Sequence, residues 1–236
     1  MENKFKKSKI ILASSSPFRA ELLEKAGVIV SRETARIDER SLEQFLKSGN
    51  RFSDKNCGKN KDLEQSVELS KTKNVLEKDF DFISPRELAL KLASAKAKEV
   101  SWRFSNDFII GCDQILSFKG KIFHKVKNWD EARQRLQILS GKTHFLHTAV
   151  TVYQNENCLW QKIEKAKLTM RSLSDQLIEN YLKQVDDSVL ATAGICQIEG
   201  LGIRLFKRIK GDYHAIIGLP LLPLLNFLSG KGLLDE

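Results

Sequence analysis

The run Ile10-Ile11-Leu12-Ala13 breaks into Ser14-Ser15-Ser16-Pro17, and no other stretch limits the fold so sharply. A short continuous apolar run suits a strand buried on both faces, so Lys9 to Ala13 reads as one. Ser16 reads as a helix N-cap, with Pro17 at the first helical position, where its missing N–H costs nothing. Gly27 ends that helix. The chain therefore opens as strand, serine-rich loop, helix. Ile29 to Ala35 reads as a second strand that ends before Asp38-Glu39.

The same reading continues along the chain. Ser84-Pro85-Arg86-Glu87 is a capping box that opens a helix to about Phe104. Phe108 to Gly111 is a strand too apolar to face water, ending at Asp113. Leu116 to Phe123, with Gly120, reads as a hairpin. Asn128 caps a helix that stops at Gly141. Phe145 to Tyr153 and Leu159 to Met170 read as long strands paired around an Asn155-Glu156-Asn157 turn. Ser174 caps a helix to about Gln184, Gly202 to Lys210 reads as a strand, and Leu221 to Leu228 as a closing helix. Strands alternate with helices in places and form hairpins in others, which argues an α/β fold on a mixed sheet with flanking helices. Residues 48–80 are polar and mixed in charge, and read as a surface insertion.

The chain has 236 residues, 42% of them hydrophobic, enough to bury the core of one large domain or of one domain with two lobes. Its net charge of +9 favours polyanionic partners: nucleic acid, an acidic membrane surface or a phosphorylated small molecule. No nucleic-acid-binding motif is present, so the first is not expected. No stretch is long enough to span a bilayer, and the apolar run after Lys9 is too short for a signal peptide. Cys57, Cys112, Cys158 and Cys196 are widely spaced, without a CxxC pair. Reduced thiols in a cytoplasmic protein, and no zinc site, are expected.

Several residues could carry chemistry. Backbone N–H groups at the start of the first helix, with hydroxyls from Ser14 and Ser16 and the guanidinium of Arg19, suit a phosphate. An ordinary helix cap would use the same Ser-Pro pair. Asp113 and Glu39 are acids at expected strand ends, where α/β proteins bind ligands. Two such carboxylates can hold Mg²⁺ or Mn²⁺ against phosphate oxygens, and one can deprotonate a water. Asp38 is an alternative to Glu39. Lys96, in an alanine-rich helix, and Lys125 could reach a phosphate. A lysine chosen at random is a surface residue. The Glu199-Gly200-Leu201-Gly202 turn is weak evidence for a ligand. His124, His144, His147 and His214 lack metal-like spacing and read as structural.

The order of these pieces resembles one family. Leu12 to Leu23 closely resembles the N-terminal motif LASxSPxRxxLL of the Maf family. Ile37-Asp38-Glu39, Leu92-Ala93-Ser94-Ala95-Lys96-Ala97, Gly111-Cys112-Asp113-Gln114, Lys125, Ser140 to His144, Glu199 to Gly202 and Gly211 to Leu221 are similar to its later motifs, in the family's order. The resemblance implies a single domain over 1–236 with two lobes, an α/β fold related to the inosine triphosphate pyrophosphatases, and a central nucleotide cleft. It implies that a divalent cation (Mg, Mn or Co) assists release of pyrophosphate from a nucleoside triphosphate, leaving the monophosphate. By resemblance Asp113 is general base and metal ligand, and Glu39 a second metal ligand. Ser14, Ser16, Arg19, Lys96 and Lys125 hold the polyphosphate, and the chain forms a homodimer.

Phe18, Gln114 and Glu199 fall where the family sets its base preference, and resemble the 7-methyl-GTP-selective branch. A methylated guanine is cationic, so an aromatic face attracts it. A carboxylate can accept from the guanine N1–H and exocyclic amine. Phe18 stands where that branch carries Trp, and His124, Val126, Thr192 and Cys196 also depart from common family residues. A broad or pyrimidine nucleotide pyrophosphatase, or a non-catalytic nucleotide-binding division regulator, are the alternatives.

Overall fold

A computed structural model describes residues 8–48 and 83–234. Beyond Ser48, the expected surface insertion lies outside the described residues. The elements in chain order are β1 (Ile10–Ala13), α1 (Pro17–Lys25), β2 (Val30–Arg32), α2 (Glu39–Lys47), α3 (Pro85–Arg103), β3 (Phe108–Phe118), β4 (Lys121–Phe123), α4 (Trp129–Leu139), β5 (Thr143–Gln154), β6 (Asn157–Met170), α5 (Asp175–Leu182), β7 (Phe206–Lys210), α6 (Tyr213–Ile217) and α7 (Leu221–Ser229). Short 3₁₀ turns cover Asp187–Ala191 and Leu201–Leu205.

The strands form one mixed sheet in the order β2-β1-β3-β5-β6-β7, with β4 beside β3. β1 is parallel to both β2 and β3, and the pairs from β3 to β7 are antiparallel. The α/β class with a mixed sheet is therefore as expected. Period-two alternation sorts the opening strand: Ile10 and Leu12 join a cluster with α1 and α7, while Ile11 and Ala13 face Ala97 and Val100 of α3. A third cluster packs α4 and α5 on β3, β5 and β6, around Leu116, Leu136, Leu168 and Ile178.

α3 is buried along most of its length, which is why its middle is rich in alanine. It lies hard against β3 at Gly111, where an added Cβ would stand 2.2 Å from the Ala93 carbonyl oxygen and 2.7 Å from the Ala97 Cβ. Only glycine fits at that separation. Ser84 caps α3 by accepting from Glu87 N, and Asn128 caps α4 by accepting from Glu131 N, as expected. Asn155 and Glu156 both take positive φ in the β5–β6 turn, the conformation that matches strand twist.

Three expectations are corrected. β3 does not end at Asp113 but runs to Phe118, because Ile109 to Ser117 stay paired with Tyr153 to Phe145 of β5. β2 stops at Arg32, and Glu39 opens α2, capped by Asp38, which accepts from Arg40 N and Ser41 N. The strand expected from Gly202 begins only at Phe206, because Gly202 is folded against the Gln197 backbone in a tight turn. Among the described residues Cys112 and Cys196 are free thiols, in line with the expectation for those two. No described helix is long and apolar enough to cross a membrane.

Candidate functional site

β1 reaches only as far as Ala13, opposite Gly111, and β4 takes up the same edge of β3 at Leu116. Between them, among the described residues, no strand lies beside Cys112, Asp113, Gln114 and Ile115 on that edge. Asp113 and Gln114 point to opposite faces of the sheet, as successive strand residues must. A cleft of about 370 Å³ opens at this gap, beyond the C-terminal end of β1, and both side chains line it.

Around Asp113 and Gln114 of β3 the cleft gathers expected residues from four further parts of the chain. Ser14, Ser16, Phe18 and Arg19 come from the loop and first turn after β1, and Glu39 from the start of α2. Lys96 comes from α3 and Lys125 from the loop after β4. Glu199 does not line this cleft; it lines a smaller pocket that shares Phe18 and Gln114 with it.

Lys96 holds the two acids together. Its Nζ lies 2.6 Å from Asp113 Oδ1 and 2.8 Å from Glu39 Oε1. Lys96 and Asp113 are both buried, and Glu39 is half-exposed. Burial pushes the Asp113 carboxyl above its ordinary pKa, although Lys96 and Arg19 pull it down. Burial also works against the Lys96 ammonium, but Asp113 and Glu39 outweigh it and raise the lysine pKa. Glu39 meets the same opposition from burial, yet Lys96, with Lys125 and Arg19 adding, holds it below the ordinary glutamate value. Asp38 does not line the cleft, and its carboxylate caps α2 by accepting from two backbone N–H groups and the Ser41 hydroxyl.

Asp113 and Glu39 offer hard oxygen donors to a cation. Among the described residues no cluster of three or more His, Cys, Asp or Glu could hold a metal. Two carboxylates fit an ion of the magnesium type, which keeps waters and takes its other oxygens from phosphates. The Lys96 ammonium already sits on both carboxylates, so this spot favours positive charge.

Arg19 is a brace as well as a cation. Its Nε donates to the Gly218 carbonyl, and its Nη1 to the Cys112 carbonyl and the Ser14 hydroxyl. It thereby satisfies a carbonyl on the unpaired edge of β3, and its Nη2 has no hydrogen bond among the described residues. Ser14 Oγ also accepts from Ser16 N. Ser16 occupies the N-cap position of α1, but its side chain makes no capping bond. The cap is therefore positional only, and the Ser16 hydroxyl stays available.

The smaller pocket, about 50 Å³, is where Phe18, Gln114 and Glu199 meet. Gln114 Nε2 donates to Thr148 Oγ1 and to the carbonyls of Ala215 and Ile216. Those three acceptors fix the amide, so its carbonyl oxygen is the end left for a ligand N–H. His144, read from sequence as structural, lines this pocket as well, and burial lowers its pKa to about 4, leaving it neutral. Cys196 lines it too, its thiol pushed up to about 12 by burial and by Glu199. The loop behind them holds Ile195 at a φ of 55°, a strained conformation for a β-branched residue, with its carbonyl bonded by the Tyr181 hydroxyl. The sequence marks His144 only as the end of a motif and Cys196 only as a departure from common family residues; neither mark points to this pocket, because their partners there are distant along the chain.

The family model described as Maf-like protein matches residues 9–231. The chain is 46% identical over 226 residues to a 7-methyl-GTP pyrophosphatase of Bartonella henselae, covering 96% of this chain and 97% of that one. It is 44% identical to a protein of the same name from Bartonella quintana, over 96% of this chain and 98% of that one. A third, from Rhizobium meliloti, is 38% identical with the same coverage, 96% and 98%.

Proposed function

The chain belongs to the Maf-like protein family, and on that premise we propose that it cleaves nucleoside triphosphates to the monophosphate and pyrophosphate. The observation that carries this reading is that the two cavities adjoin, sharing Phe18, Gln114, Thr192, Ala193 and Ile217 in their walls. One end gathers Asp113, Glu39, Lys96, Lys125, Arg19 and two serine hydroxyls; the other gathers Phe18, Gln114 and Glu199. A triphosphate tail suits the first and a base the second.

In this reading Asp113 takes a proton from water as the water oxygen bonds to phosphorus, and the bridge between the α- and β-phosphates breaks. Its raised pKa makes it a better proton acceptor than an ordinary aspartate. Lys96, Lys125 and Arg19 offset charge that develops on the phosphate oxygens. Asp113 and Glu39 would hold a divalent Mg, Mn or Co ion, which would draw electron density from those oxygens.

We further propose that the preferred base is 7-methylguanine. Phe18 offers an aromatic face to its positive ring, the Gln114 carbonyl oxygen can accept from an N–H, and Glu199 matches both charge and donors. The names of the relatives support the same substrate.

A panel of natural and modified nucleoside triphosphates, with pyrophosphate detection and each metal in turn, tests both levels. The expected result is release from several triphosphates and the highest kcat/KM for 7-methyl-GTP. No pyrophosphate from any of them with any metal would sink the reaction, and a preference for dTTP or UTP would sink the base assignment alone.

A further inference from the structure

The loop that carries Lys125 and the loop that carries Thr192 and Ala193 reach the cleft from different parts of the chain, and they meet at one side chain. Arg135 of α4 donates from a single nitrogen, Nη1, to the carbonyl oxygens of His124, at 3.0 Å, and Ala193, at 2.6 Å. Its guanidinium carbon lies 4.6 Å from the centre of the Phe123 ring, the last residue of β4, which holds the plane in place. No other hydrogen bond among the described residues joins the two loops. His124 immediately precedes Lys125, and Ala193 lines both the large cleft and the base-end pocket.

We propose that Arg135 is a positioning residue that fixes the spacing between Lys125 and the base-end pocket, and so favours ligands whose base and phosphates stand one nucleoside apart. The inference rests on reading the cleft as a nucleotide site. A guanidinium suits the task because its donors are held in one rigid plane, whereas an ammonium on a flexible stem would leave the spacing looser. Arg135 touches neither reacting group; it acts through the two backbone carbonyls.

The test is a double-mutant cycle between Arg135→Met and Lys125→Ala. Methionine keeps an unbranched apolar stem against Phe123 and removes the donors. Affinity for a nucleoside triphosphate with a non-hydrolysable α,β-methylene bridge is read by titration calorimetry, and pyrophosphate release is measured beside it. Arg135→Met is expected to weaken binding and kcat/KM about tenfold in the parent protein, but less than about twofold once Lys125 is gone. Arg135→Lys recovers part of the loss, since an ammonium can still donate to both carbonyls. If Arg135→Met does not fold, the cycle is run with Arg135→Lys, where a smaller loss with the same non-additivity is expected. Equal losses in the two backgrounds would overturn the proposal and make Arg135 a structural residue. Coupled affinities without pyrophosphate release would overturn the proposed reaction and leave the positioning role standing.

Discussion

Lys96 Nζ stands 2.6 Å from Asp113 Oδ1, with both side chains buried, so the acid proposed to act as base has its countercharge in place before any ligand arrives. Replacing Asp113 by Asn removes the proton acceptor and leaves Lys96 with Glu39 as its remaining partner. Pyrophosphate release is expected to fall by about 10²–10⁴-fold. Calorimetry should show binding of a triphosphate analogue largely retained, and turnover near the parent rate would contradict the assignment.

Lys96→Met leaves a buried carboxylate without its ion pair. Breaking a buried pair from one side costs about 3–5 kcal/mol, so urea unfolding should show a loss of that order at neutral pH. Asp113→Asn in the same chain should restore part of it, because the unpaired charge is then gone. A double variant no more stable than Lys96→Met alone would show that the pair does not govern this region.

Gly111 lies outside the chemistry, yet it sets the distance between α3 and β3. Gly111→Ala is expected to cost about 1–3 kcal/mol through overpacking. It should also lower kcat by lifting Lys96 away from Asp113. A thermal scan together with steady-state rates checks this, and an unchanged kcat in a destabilised variant would separate packing from function.

The base end carries its own prediction. Glu199→Gln keeps the shape of the side chain and removes its charge, and Phe18→Ala removes the aromatic face. Each should reduce the ratio of kcat/KM for 7-methyl-GTP over GTP by about tenfold, in line with a cation–π contact or an ion pair in a partly enclosed site. A parallel fall for both nucleotides would mean that these residues shape the pocket without reading the charge.

Burial lowers the pKa of His144 and of His147 to about 4, with Lys165 and Arg86 adding at His147. A depressed value means that the folded chain prefers the neutral ring. The resulting stability is complete above the unfolded-state value near 6.5 and is lost as pH falls from there toward 4. Each ring contributes on the order of 1–3 kcal/mol. Denaturation at pH 7 and pH 4.5 should show the loss, and His144→Gln should make it smaller. An equal loss in that variant would assign the acid sensitivity elsewhere.

The opening of the chain was legible because Pro17 and the serines mark a helix start whatever surrounds them. Asp113 was found for a reason only half right. The apolar run before it points to burial, but the strand end that matters belongs to β1, and the sequence of β3 does not record where its neighbour stops. α2 went unread because Asp38-Glu39-Arg40-Ser41 is polar throughout, and the apolar residues that seat the helix come later, at Leu42 and Leu46. Arg135 left no trace at all: its acceptors are backbone carbonyls 11 and 58 residues away, and any residue type could have supplied them.

The stretch of β3 with an open edge has an evolutionary consequence. Asp113 and Gln114 are neighbours in sequence, yet they answer to different surroundings, α3 on one side and the α6 backbone on the other. A lineage could therefore exchange one nucleobase for another by altering the α6 side, while the acid and lysine proposed to serve hydrolysis across the sheet were inherited unchanged.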